Sequence, residues 1–153
     1  MTNYNPLEPV SSIMSTDLVT LSPGDDLWQA KELFEKHKIH HIPVVRFKDI
    51  VGMLSMTDLN LFYRGYSKGK AAELEKEHMQ ETRVDEIMTK QLAKLEPTDQ
   101  IRTALEVFKL NRFHALPVVE NGDDLIGMVT THDIIVSLSE EKIELKDYDE
   151  VNE

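Results

Sequence analysis

The 153-residue sequence predicts an α/β (α+β) fold in which two copies of one small motif pack sheet to sheet with pseudo-two-fold symmetry. Three observations lead to this prediction. Blocks of residues recur at a nearly constant spacing, and each copy combines short apolar runs with amphipathic helical stretches. One copy alone, with a small sheet and two short helices, could not bury enough surface to offset its ordering entropy. Packing of the two copies is expected to leave two equivalent clefts at the seam.

The repeat has a shift of 74 residues, which becomes 75 after one residue is added in the turn from Glu120 to Asp124. A change of length confined to a turn is what a folded repeat tolerates best. Five blocks recur in the same order: Ile13-Met14 as Ile87-Met88, Leu21-Ser22-Pro23 as Leu95-Glu96-Pro97, the run from His40 to Val45 as the run from His114 to Val119, Gly52-Met53 as Gly127-Met128, and Asp58 as Asp133.

Each copy is expected to contain a strand, a helix, two strands and a closing helix. Apolar residues at helical spacing predict the first helix of each copy, and runs rich in Val and Ile predict the strands. In the first copy these are a strand at Leu18 to Leu21, a helix with the stripe Leu27, Ala30, Leu33 and Phe34, strands at Ile42 to Val45 and Ile50 to Leu54, and a helix from near Asp58. In the second they are a strand at Leu92 to Leu95, a helix with the stripe Ile101, Ala104, Leu105 and Phe108, capped by Thr98 or Asp99, strands at Leu116 to Val119 and Leu125 to Val129, and a helix from near Asp133.

The domain organisation follows from the repeat. We predict an N-terminal tail (1–9), a first motif (10–65), a connecting segment containing a polar helix (66–83), a second motif (84–139) and a solvated acidic tail (140–153). The connecting segment is expected to join the copies, and the sequence indicates nothing further about it.

Composition excludes several classes of protein. The chain has no cysteine, which rules out disulfides and thiolate chemistry and fits the cytoplasm. A formal net charge of -11 argues against nucleic-acid binding, because such a surface repels phosphate backbones. No apolar run approaches the roughly 20 residues of a membrane span, and the N-terminus has no signal-peptide pattern. We therefore expect neither nucleic acid nor membrane as a partner.

The recurring blocks resemble the CBS motif, which is named after cystathionine beta-synthase. The first copy carries the resemblance in Ile13-Met14, in His40-x-Ile42-Pro43-Val44-Val45 and in the run from Gly52 to Asp58, and the second copy carries it in the matching blocks up to Asp133. The resemblance covers roughly Val10 to Leu138. It implies a Bateman module that binds AMP, ADP, ATP or S-adenosylmethionine between the two sheets, and that pairs into a disc-shaped homodimer.

Asp58 and Asp133 are the central candidates for ligand binding. The resemblance implies that each holds the two ribose hydroxyls, and a carboxylate can accept the paired hydrogen bonds of a cis-diol. A purely structural role fits the same position, because an acid in the first turn of a helix caps free N–H groups. Ser55 and Thr130, three residues earlier, are expected either to help hold phosphate or to act as the N-caps of these helices.

Further candidates lie before and within the strands. His40 and His114 suit contact with a base or phosphate, although each also suits a half-buried strand residue. Thr20 fits the family pattern for ribose or base contact, whereas its partner Lys94 departs from it and is either a phosphate ligand or an exposed residue. The resemblance implies backbone contacts to adenine from Ile42, Pro43, Leu116 and Pro117, the two prolines leaving a strand edge open. The cations considered for phosphate are Arg112, which precedes His114, and Arg46, Lys48, Lys94 and Arg102.

Three functions were compared. The first is an adenosyl-nucleotide sensor that regulates an unidentified protein target. The second is a nucleotide-independent dimerisation or docking module. The third, an enzyme, is not expected, since the chain has no Gly-x-Ser-x-Gly, P-loop or His-Glu-x-x-His pattern. No cofactor or metal site is expected either, because the cluster His37, His40 and His41 spans a helix end and a strand start without a nearby fixed acid.

Overall fold

The computed structural model describes residues 5–64 and 71–139, without the side chains of residues 71 and 72. The acidic tail predicted at 140–153 and part of the connecting segment lie outside the described residues. The elements, after a short 3-10 helix at Val10–Ser12, are α1 (Leu27–His37), β1 (His41–Arg46), β2 (Asp49–Ser55), α2 (Met56–Tyr63), α3 (Ala71–Glu81), α4 (Val84–Ile87), α5 (Ile101–Lys109), β3 (Ala115–Glu120), β4 (Asp124–Thr130) and α6 (Thr131–Leu138).

The strands form two equivalent antiparallel hairpins, β1 with β2 and β3 with β4. Both hairpins have a register shift at the same place in the repeat, between Val44 and Val45 and between Val118 and Val119. The inner strands β2 and β4 are joined by a single pair, Asp49 with Asp124, which gives the strand order β1-β2-β4-β3. The two sequence copies therefore adopt the same hairpin structure, including the register shift.

The hairpins also pack against each other through their side chains. A buried cluster at the seam contains Ile50, Met53, Ala115, Val119 and Met128, so both hairpins contribute to it. Leu18, Leu92 and Leu125 pack around its border. Burial of this apolar surface is favourable by roughly 25 cal/mol per Å², a gain that neither copy could make alone. The mixed helix-and-sheet fold with two copies packed sheet to sheet is thus confirmed.

The leading segment of each copy packs on the other copy. Val10 is fully buried in the core of the second copy, with Ile13 and Met14 packed beside it. Val84, the first residue of the second copy, and Met79, in the connecting segment before it, are fully buried in the core of the first copy. Each half of the folded molecule therefore contains the leading segment of the other sequence copy, so the leading segments are exchanged between the halves.

Backbone hydrogen bonds fix this exchange. The N–H of Ser15 donates to the carbonyl of Met128 at 2.9 Å, and the N–H of Met128 donates to the carbonyl of Ser15 at 3.0 Å. Thr89 and Met53 form the same reciprocal pair, at 2.9 Å in each direction. The leading segment of each copy thereby pairs with the second strand of the other hairpin. The two halves cannot separate without breaking these four bonds.

Three predictions about the elements were wrong. The strands at Leu18 to Leu21 and Leu92 to Leu95 reduce to one parallel bridge each, Leu21 with Val44 and Leu95 with Val118. These bridges also cover the edge that was expected to stay open, because the N–H groups of Leu21 and Leu95 donate to the carbonyls of Pro43 and Pro117.

The helix α5 begins one residue later than predicted. Its N-cap is Gln100, which makes no side-chain capping bond, rather than Thr98 or Asp99. The carboxylate of Asp99 instead accepts the N–H of Glu96 at 2.7 Å and closes the preceding turn. The connecting helix α3 does more than join the copies, because Met79 fills the first core.

Candidate functional site

The starts of α2 and α6 carry the two matching acids of the repeat in equivalent capping boxes. Ser55 Oγ accepts the N–H of Asp58 at 3.1 Å, and Asp58 Oδ2 accepts the N–H of Ser55 at 2.8 Å. Thr130 and Asp133 make the same two bonds at the same two distances. Each pair is a capping box, so the structural role considered for these residues is observed in both copies.

The capping box engages only one oxygen of each carboxylate. The second oxygen of Asp133, Oδ1, lies 3.4 Å from the hydroxyl of Ser15, which comes from the segment exchanged between the copies. Within residues 5–64 and 71–139, Oδ1 of Asp58 has no hydrogen-bond partner. Both acids are half-buried and line a cleft. Each cleft wall therefore carries a carboxylate oxygen that lies outside the capping box.

The larger cleft, here the Asp133 cleft, has a volume of about 670 Å³. Its walls come from the leading segment of the first copy, the approach to β1, and the β4–α6 junction. The lining residues are Ser15, Asp17, Leu18, Val19, Lys38, Ile39, His40, His41, His114, Met128, Thr130, Thr131, His132 and Asp133.

The smaller cleft, here the Asp58 cleft, has a volume of about 300 Å³. It is built from the equivalent parts of the other copy, the approach to β3 and the β2–α2 junction. The lining residues are His41, Met53, Ser55, Thr57, Asp58, Thr89, Leu92, Ala93, Arg112, Phe113, His114, Ala115 and Pro117. Both volumes fall within the range of roughly 300–1,000 Å³ typical of small-molecule sites.

The two clefts match position by position but differ in chemistry. Lys38 in the larger cleft corresponds to Arg112 in the smaller one, and His132 corresponds to Thr57. Arg112 was considered for phosphate from the sequence, whereas Lys38 was missed. The repeat itself carried the signal, because Lys38 stands 74 positions before Arg112.

Two histidines lie between the clefts and line both of them. The ring centroids of His41 and His114 are 6.5 Å apart, with the ring planes tilted by 40°. Burial lowers the pKa of His41, and the neighbouring charges of His114 and His40 lower it further, against an opposing effect of Asp58. His41 was not among the predicted site residues, because its counterpart is Ala115 and the repeat therefore gave no second example.

Five predicted residues do not line either cleft. Lys94 forms an ion pair with Asp123 at 2.5 Å, which occupies the ammonium group that was considered for phosphate. Ile42 and Leu116 are fully buried in the two cores. Pro43 is buried as well, and Thr20 is exposed and lines neither cleft.

The other candidate cations and the histidine cluster are also placed by the structure. Arg46, Lys48 and Arg102 line neither cleft. His37 is exposed in the last turn of α1, apart from the clefts that His40 and His41 line. Among the described residues, no group of three or more His, Asp or Glu side chains is arranged to hold a metal ion. Within the same residues, no helix has the length and apolar character needed to span a membrane.

Comparison with known families decides the assignment of the fold. The CBS domain matches the chain twice, at residues 10–65 and 84–140. The chain belongs to the CBS-domain family. The CBS domain-containing protein YhcV of Bacillus subtilis (strain 168) is 27% identical over 131 residues, which are 86% of each chain. The homoserine O-acetyltransferase of Methanohalobium evestigatum is 29% identical over 126 residues, but the match spans only 23% of that enzyme.

Solved structures support the same fold. The structure of CBSX2 in complex with AMP is similar with a TM-score of 0.70 and 23% identity, covering 85% of this chain and 95% of that one. The CBS domain pair of protein MJ0100, solved with 5′-methylthioadenosine and S-adenosyl-L-methionine, has a TM-score of 0.68 and 23% identity, covering 86% and 95%. At this identity the likeness concerns the fold.

Proposed function

We propose that this protein is a regulatory sensor that binds an adenosyl ligand in the Asp58 and Asp133 clefts. The observation that carries the proposal is the equivalent placement of a half-buried carboxylate, with one oxygen outside its capping box, on the wall of each cleft. Such an oxygen can accept hydrogen bonds from a ribose diol. Two structurally similar CBS pairs were solved with AMP and with 5′-methylthioadenosine and S-adenosyl-L-methionine, which share that diol.

The remaining groups of the clefts suit the rest of such a ligand. Lys38 and Arg112 supply positive charge for a phosphate, and Arg112 can bind it in a bidentate manner. Val19, Ile39 and Phe113 provide apolar surface against which a purine can pack. The ligands we propose are AMP, ADP, ATP and S-adenosylmethionine. We also propose that the module acts in the cytoplasm, where it regulates a target protein.

Replacement of each acid by its amide tests the ribose assignment. In Asp58→Asn and Asp133→Asn the amide oxygen can still accept the cap N–H, but the side chain no longer offers two acceptors to a diol. We expect each variant to bind AMP, ADP, ATP or S-adenosylmethionine at least tenfold more weakly at the altered cleft, which corresponds to about 1.4 kcal/mol. Isothermal titration calorimetry measures the loss, and circular dichroism confirms that the variants are folded.

Asp26 provides a matched control. It caps α1 through a capping box with Gln29 and lines neither cleft. Asp26→Asn is therefore expected to bind like the wild type. Wild-type affinity in both Asp58→Asn and Asp133→Asn would show that the two acids only cap their helices.

A nucleotide-independent pairing function is the second candidate, and exposed apolar side chains favour it. Leu61 on α2 is 54% exposed, and Val136, at the matching position on α6, is 49% exposed. Large exposed apolar groups at equivalent positions are typical of an association surface. Light scattering of the purified protein with and without AMP tests this candidate, because a homodimer that forms equally in both conditions would support it, and a monomer would exclude homodimerisation.

A further inference from the structure

His41 is one of two imidazoles that a ligand in either cleft would meet. It lines the Asp133 cleft and the Asp58 cleft, as does its neighbour His114. The other lining histidines, His40 and His132, belong to the Asp133 cleft alone. Because the second copy has Ala115 at the position of His41, His41 has no histidine counterpart in the repeat.

The surroundings of His41 favour its neutral form when the clefts are empty. Burial and the charges of His114 and His40 lower its pKa, and Asp58 alone among the named causes raises it. The other charged groups on the cleft walls are Asp17, Lys38, Arg112, His132 and Asp133. A phosphate in either cleft would act in the same direction as Asp58, because an anion nearby favours the charged imidazolium.

We infer that His41 is a binding residue common to both clefts, and that it makes them prefer phosphate-bearing adenosyl ligands over uncharged ones as the pH falls. This inference rests on the proposed function, because it requires an adenosyl ligand in the clefts. A ligand that favours protonated His41 must bind more tightly when His41 is already protonated, as thermodynamic linkage demands. An uncharged ligand gains nothing from that proton.

The test compares AMP with 5′-methylthioadenosine, which has the same adenosine portion without phosphate. Calorimetry at about pH 8 and about pH 5.5 gives the ratio of the affinity for AMP to the affinity for 5′-methylthioadenosine at each pH. From about pH 8 to about pH 5.5, we expect this ratio to rise by about three- to tenfold more in the wild type than in His41→Ala. One unit of pKa shift corresponds to tenfold in affinity. If ATP rather than AMP is the phosphate ligand that binds, it takes the place of AMP. The phosphate itself titrates near pH 6, but it does so in both proteins.

His41→Ala is a conservative choice because it installs the alanine found at the matching position of the second copy. His37→Ala is the control, since His37 is exposed and lines neither cleft, and it is expected to keep the wild-type pH profile. Identical profiles for the wild type and His41→Ala would overturn the inference and leave the proposed function standing. Absence of binding of any of the named adenosyl ligands to the folded wild type would overturn both.

Because His41 lines both clefts, its effect should be measurable in each cleft separately. Asp58→Asn weakens one cleft and Asp133→Asn weakens the other, so each variant reports on the remaining cleft. The contribution of His41 to the pH-dependent preference is expected in both variants, so adding His41→Ala is expected to reduce the preference in both by about three- to tenfold. A preference confined to one of the two variants would show that His41 serves a single cleft.

Discussion

Gly127 shows how a single residue of the repeat is fixed by the other half of the molecule. A Cβ atom at this position would lie 2.6 Å from Sδ of Met14 and 3.2 Å from the carbonyl oxygen of Ser15. Gly52 faces Met88 in the equivalent way. The glycine of each Gly-Met block is therefore needed because the leading segment of the other copy packs directly on its backbone.

We expect Gly127→Ala to lower the free energy of unfolding by about 1–3 kcal/mol, because the added methyl group overpacks the contact. Met14→Ala in the same chain should restore part of this loss, although the Ser15 carbonyl stays close. Chemical denaturation of the two single variants and the double variant gives the coupling energy. Gly24→Ala is the control, since its Cβ would meet Arg83 only at 3.4 Å. Strictly additive effects of Gly127→Ala and Met14→Ala would contradict the contact.

At the scale of residues, the sequence identified those cleft-lining residues that occur in both copies. Asp58 and Asp133, Ser55 and Thr130 were recognised because the two copies agree on them. His41 and Lys38 were missed, since the first is replaced by Ala115 and the second differs in type from Arg112. The ion pair of Lys94 could not be predicted, because its partner Asp123 lies 29 positions later, in the hairpin turn whose length differs between copies. Comparison of the two copies therefore identifies the residues that they share, but not the residues in which they differ.

At the scale of elements, the helix α3 changes from a connector into part of the first core. Met79 is fully buried, and helix α3 packs against α1. The sequence suggested otherwise because charged residues dominate the helix and a single buried methionine gives no periodic stripe. The hairpin strands were predicted to within one residue at each end, and the helices with regular apolar patterns were predicted at the right places.

Met79→Ala is expected to lower the free energy of unfolding by roughly 2–5 kcal/mol, the usual cost of truncating a large buried side chain. Leu74, on the same helix, is 61% exposed, and Leu74→Ala should change stability by no more than about 0.5 kcal/mol. Urea denaturation monitored by circular dichroism compares the two. Equal and small effects would mean that α3 is a connector after all.

At the scale of the whole molecule, the units of sequence and the units of packing do not coincide. Residues 10–65 match one CBS domain, yet Val10, Ile13 and Met14 pack into the core of the other copy. Sequence similarity could not reveal this, because the block Ile13-Met14 is equally apolar wherever it packs. The hydrogen bonds of Ser15 with Met128 hold the leading segment of the first copy on the second copy. These bonds join backbone groups that are far apart in the sequence, so the sequence alone does not indicate them.

This exchange predicts that a change near the N-terminus is felt in the distant half of the chain. Val10→Ala removes two buried methyl groups from the second core and should cost about 2 kcal/mol. Hydrogen exchange measured by mass spectrometry is expected to quicken more in α5 and β3 than in α1 and β1, because local opening follows the core that was weakened. Leu7→Ala, at a residue that is 55% exposed, serves as the control. Faster exchange in α1 and β1 instead would mean that the leading segment packs on its own copy, and the exchange between halves would then be wrong.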